Sequence, residues 1–240
     1  SNFFLLFGIL NGIVMASGFN GLIYMNPHQF LSVHIFSLLG GFILLLIMGI
    51  SFIFIPMFGF SKRISDNKFS YSFMTLTLGL SLMIFSHFFL KSTLENLSYF
   101  IIAIAVMIFI YQLFVMFSSR KKVIHDIWAR SVYIAYSSFF ISAIFICIYL
   151  FSSQELALKF AMWLFLVGFI GFLIMGNFYK IIPFLVWFQI YAPLIEERPV
   201  PMLHELVPQR LANLQWFYSC CGLLFSSFGL LFQDIQIFYG

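Results

Sequence analysis

Apolar residues run along this chain in long unbroken stretches, and polar residues gather in short clusters between them. The clusters divide the sequence into seven apolar segments, at about 3–24, 31–58, 70–90, 97–117, 131–151, 159–191 and 211–232. A hydrocarbon core about 30 Å thick is crossed by about 20 residues of α-helix, and each segment reaches that length. No period-two alternation suggests a barrel. The pattern predicts an all-α, polytopic membrane protein with seven transmembrane helices, forming a single transmembrane helical domain over residues 1–240.

Within that frame several elements carry their own expectations. Asn11, Gly12, Gly18, Asn20 and Gly21 interrupt the first segment, which predicts an inner or partly broken helix. Pro183 is expected to kink the long sixth segment or to mark the end of its membrane portion. The proline-rich stretch that follows holds room for one short interfacial turn around Met202 to Val207. No internal repeat is expected.

Composition sharpens the class. With 62% hydrophobic and 8% charged residues and a mean hydropathy of +1.05, a soluble domain is excluded. The lipid bilayer is therefore the first partner. The chain is only slightly basic, at +4, and has no run of Lys and Arg interleaved with aromatics, so no nucleic-acid partner is expected. Cys147, Cys220 and Cys221 fall in apolar segments without metal-binding spacing and read as small core hydrophobes. The N-terminus lacks the basic flank and cleavage site of a signal peptide, so the first segment is expected to be a retained span.

Charge also gives a direction. Connections after the second, fourth and sixth segments, with Lys180 beside them, hold ten of the Lys and Arg residues, against Lys91 and Lys159 on the other side. The positive-inside rule then predicts a cytoplasmic N-terminus and an extracytoplasmic C-terminus, in the cytoplasmic (inner) membrane.

Candidate chemistry rests on the histidines. His34 lies in the first turns of the second segment, and Ser37 and Gly41 share its face, with Gly40 beside them. This small-residue groove has two readings: close approach of a neighbouring helix, or room for a flat macrocycle or a metal beside the imidazole. His87, near the end of the third segment, should sit at a similar depth, with Met83 one turn before it. Met25 and His28 flank the entry to the second segment, where His28 also suits a plain helix-entry role. Imidazole and thioether donors fit copper or heme iron, so His34, His87, His28 and Met83 are the candidate metal ligands. Asp and Glu stay in loops and at ends, which argues against a carboxylate relay through the bilayer centre. Lys180 is expected to snorkel towards the headgroups.

Three stretches carry a family resemblance. HIFSLLGGFILLLIMGISFIFIPMF resembles the histidine-bearing second helix of membrane proteins related to the catalytic subunit of heme-copper oxidases, including the NnrS group. GNFYKIIPFLVW and VPMLHELVPQRLA resemble motifs of small members of that set. The resemblance implies that His34 is a heme b ligand and that Pro56 ends its helix, while Lys180, Pro183 and His204 are motif positions without a role. Asn177 stands where similar proteins would carry a histidine. The oxidase's further heme histidines, its paired copper histidines and its histidine–tyrosine spacing are absent, so oxygen reduction by this chain alone is not expected.

The expected function is accordingly binding of heme b or copper through His34 and His87, serving electron transfer or a nitric-oxide or metal-stress response. The alternatives are a cofactor-free transporter, or an accessory or assembly subunit of a respiratory membrane complex. Either a respiratory complex or a homo-oligomer would supply protein partners.

Overall fold

A computed structural model describes residues 1–21, 27–89, 92–120, 126–195, 199–203 and 205–232, the side chains of 27–29 and 92 excepted. Seven helices among them are long and apolar enough to cross a membrane. Helix α1 is Asn2–Phe19. Helix α2 joins Pro27–Ile35, a π-helical Phe36–Leu44 and Leu45–Gly59. Helices α3, Asp66–Phe89, and α4, Ser92–Ser118, follow. Helix α5 is Ile127–Ser152, and α6 runs through Glu155–Trp163, a π-helical Leu164–Gly171 and Phe172–Val186 into a second π stretch, Trp187–Tyr191. Helix α7 is Gln209–Phe232.

Every expected span is present, because each is apolar on all faces and must satisfy its backbone internally in hydrocarbon. Several local expectations fail. Helix α1 is unbroken through Asn11, whose amide donates back to the Phe7 carbonyl at 2.8 Å and leaves no polar group demanding a break. Pro56 does not end its helix: α2 continues past it to Gly59, where Phe60 turns left-handed. Pro183 lies inside α6, which continues beyond it. Cys147 is exposed on α5 and Cys220 and Cys221 are half-exposed on α7, so none is a core residue. At the proline-rich connection Glu205 N–H donates to the Met202 carbonyl at 3.0 Å, closing one turn.

The chain forms two compact units, Ser1–Val123 and Ile124–Gly240. In the first, α1 packs along the first half of α2, and α4 packs on α3 and on the Leu45–Gly59 half of α2. In the second, α5 packs along α6, and α7 contacts α5 and the first half of α6.

Contrary to expectation, the two long helices are copies of one element. With Gly41 set against Gly168, LGGFILLLIMGISFIFIP from Leu39 matches LVGFIGFLIMGNFYKIIP from Leu166, sharing the GFI, IMG and IP groups. The π stretches fall at the matched place, and so do the prolines. In each unit the matched glycine abuts the preceding helix: a Cβ on Gly41 would meet the Phe4 ring, and one on Gly168 would lie 2.6 Å from Ser138 Oγ.

Candidate functional site

The imidazole of His34 is fixed by α1. Gly8 and Gly12 stand one turn apart on that helix and leave its backbone bare, so the ring closes onto it. His34 Nδ1 lies 2.8 Å from the Gly8 carbonyl oxygen, and a Cβ on Gly12 would fall 2.9 Å from His34 Cε1. A carbonyl can only accept, so Nδ1 is the donor, and in the neutral ring the lone pair is on Nε2. The groove on the His34 face is filled: α1 lies in it, with Phe4 on Gly41 and Leu38 reaching 2.6 Å from where a Gly8 Cβ would stand. Packing is thus what the small residues of α2 do here. Gly8 escaped the sequence reading and Gly12 was read only as an interruption, although their G-x-x-x-G spacing is a sign of close helix approach.

His87 reaches the same level from the other side. Gly40 of α2 meets Leu80 of α3, and the Phe30 and Phe88 rings lie 6.1 Å apart, so antiparallel α2 and α3 set His34 and His87 at one height. His87 lies two turns beyond Leu80 on nearly the same face of α3. Its Nδ1 is buried without a hydrogen-bond partner, and Met83 one turn earlier is wholly buried. No hydrogen bond joins the two imidazoles among the described residues, and the His34 ring is turned to α1. The side chains of Met25 and His28 lie outside the described residues, as does His204. Among those described, no three His, Cys, Asp or Glu side chains cluster as a metal-holding group.

A second polar cluster binds the second unit. Asp126 caps α5, one carboxylate oxygen accepting Ala129 N–H at 2.9 Å and the other lying 2.6 Å from Lys180 Nζ. Lys180 therefore has a carboxylate partner at the start of α5. Asn177 accepts the Trp128 indole N–H at 3.2 Å, one turn away on the same face of α6. Arg130 donates to Asn213 and lies 4.7 Å from the Trp216 ring centre, while Tyr179 donates to Gln215. Beside these lies a cavity of about 490 Å³ between α6 and the start of α7, lined by Ile174, Phe178, Ile182 and Pro183 and floored by Leu206 to Pro208.

Fold and composition together define a multi-pass helical membrane protein. No protein-family description matches the chain, and neither a characterised protein nor a solved structure does.

Proposed function

We propose that the chain binds a redox metal through His34, as heme b or copper, with His87 as second ligand and Met83 close by. The observation that carries this is the Nδ1–H bond to Gly8. Metal-binding histidines commonly donate the other ring nitrogen to a carbonyl, which fixes the tautomer and aims the lone pair of Nε2 at the ligand. The buried, partnerless Nδ1 of His87 also fits a missing partner of that kind. Because α1 fills the groove, a single copper ion asks less room there than a macrocycle. A copper or heme site would supply one-electron chemistry, in keeping with electron transfer or with nitric-oxide or metal stress in the cytoplasmic membrane.

A second reading has an observation of its own. Gly- and Pro-interrupted helices at matched positions of two repeats also mark cofactor-free carriers, and the repeated α2 and α6 have that form. Metal analysis and an absorption spectrum of detergent-purified protein separate the two. The proposal expects stoichiometric copper or a Soret band, lost in His34→Ala and weakened in His87→Ala. Protein with neither signal would overturn it.

A further inference from the structure

Among the charged side chains of the second unit, Arg130 stands without a counter-charge. It lies in the first turn of α5, and the carboxylate one turn before it, Asp126, is engaged through both oxygens, by Ala129 N–H and by Lys180 Nζ. The guanidinium instead lies 4.7 Å from the centre of the Trp216 ring and donates from Nη2 to Asn213 Oδ1, both residues of α7. Its Nε is buried with no acceptor, and the indole Nε1 of Trp216 is buried with none either. Arg210, three residues before Asn213, is exposed. Among the described residues no carboxylate pairs with either arginine.

Both orphan nitrogens are donors and nothing else, so what they lack is an acceptor. A buried donor without one costs about 1–3 kcal/mol, and more where the donor is charged. Water would answer the two N–H groups but would leave the guanidinium charge uncompensated. The missing partner is therefore an acceptor that carries negative charge. Depth names its source. Arg130 and Trp216 stand near the starts of α5 and α7, within about 10 Å of the helix ends, which is the level where phospholipid phosphates meet the hydrocarbon. Tryptophan gathers at that level as well.

We propose that Arg130 and Trp216 hold the phosphate of one anionic glycerophospholipid, with Asn213 orienting the guanidinium and Arg210 adding a second cation on the water side. Basic sites between transmembrane helices take such headgroups. A zwitterionic lipid fits less well, because its own cation offsets the phosphate and two arginines here have no carboxylate. Bound in this place, the lipid joins α5 to α7 at one surface of the second unit. The site shares no residue with His34 and His87 and stands or falls apart from them.

The experiment uses the full chain, delipidated in a neutral detergent and titrated with phosphatidylglycerol or with phosphatidylcholine of the same acyl chains, bound lipid being counted by native mass spectrometry. One phosphatidylglycerol per chain should bind at least tenfold more tightly than phosphatidylcholine. Arg130→Gln, which can still donate to Asn213, should lose that preference. Trp216→Phe keeps the ring, loses the N–H and should weaken phosphatidylglycerol binding by about two- to tenfold. Arg63→Gln removes a cation paired with Asp66 in the first unit and should leave binding unchanged. Equal binding of the two lipids by the unchanged protein would overturn the proposal. So would unaltered preference in Arg130→Gln or unaltered binding in Trp216→Phe, the results expected if another part of this chain supplies the acceptor. Displacement of the lipid by millimolar inorganic phosphate would overturn it too, since the free ion would then be the ligand.

Discussion

Asp126 shows how much one side chain can settle. Its two oxygens serve different elements, the α5 N-terminus and Lys180 on α6. Asp126→Asn keeps a capping oxygen and loses the ion pair, whose ends are about a third exposed, so screening holds the loss to about 0–1 kcal/mol. Asp126→Ala loses the cap as well and should cost about 0.5–2 kcal/mol more. Thermal unfolding of detergent-solubilised variants checks the order, and equal midpoints for Asn and Ala would show that the cap contributes nothing. Lys180 stood out in the sequence but its pairing did not, because all of α5 and most of α6 separate it from Asp126 and pairing is a tertiary event. His34 was legible as an unusual residue, since an ionisable group in an apolar helix needs a reason. Its partner, the Gly8 carbonyl, carries no mark in the side-chain pattern.

At the scale of elements, the seven spans were readable because length and hydropathy alone decide whether a helix crosses hydrocarbon. Boundaries fell within a few residues, and Pro56 misled because a helix in lipid tolerates a lost backbone bond that neighbours can make good. The π stretches, which hold Gly40, Gly41 and Gly168, were not readable, since an all-apolar pattern does not mark where a helix widens. Matched glycines invite a direct test. Gly41 has no space for a side chain, because Phe4 of α1 stands there, whereas a Cβ on Gly49 meets nothing within 4 Å. Gly41→Leu must push α1 away from α2, at a cost of about 1–3 kcal/mol for overpacking. Gly49→Leu should change stability by less than about 0.5 kcal/mol. Unfolding midpoints in detergent compare the two, and a tolerant Gly41 would mean that α1 is not held on α2 in the way the structure places it.

For the whole molecule, the distribution of charge predicts how the bundle stands in the membrane. Lys62 and Arg63 follow α2, and Arg120 follows α4, on the side to which Arg198 and Arg210 also belong. Moving such cations through hydrocarbon during insertion is costly, so the side that carries ten of the twelve should stay where the chain is made. Two exposed loop positions report the outcome: Lys62, just after α2, and Gln154, between α5 and α6. In the background with Cys147, Cys220 and Cys221 changed to Ser, Gln154→Cys should react with a membrane-impermeant maleimide added to intact cells. Lys62→Cys should react only after the membrane is opened. The reverse pattern would invert the molecule and move the His34 and His87 level to the cytoplasmic side, where a metal would meet a reducing compartment. Labelling of both positions from outside would contradict the odd number of crossings between them. Under the proposed function, the result therefore also fixes which compartment would exchange electrons or ligands with the two imidazoles.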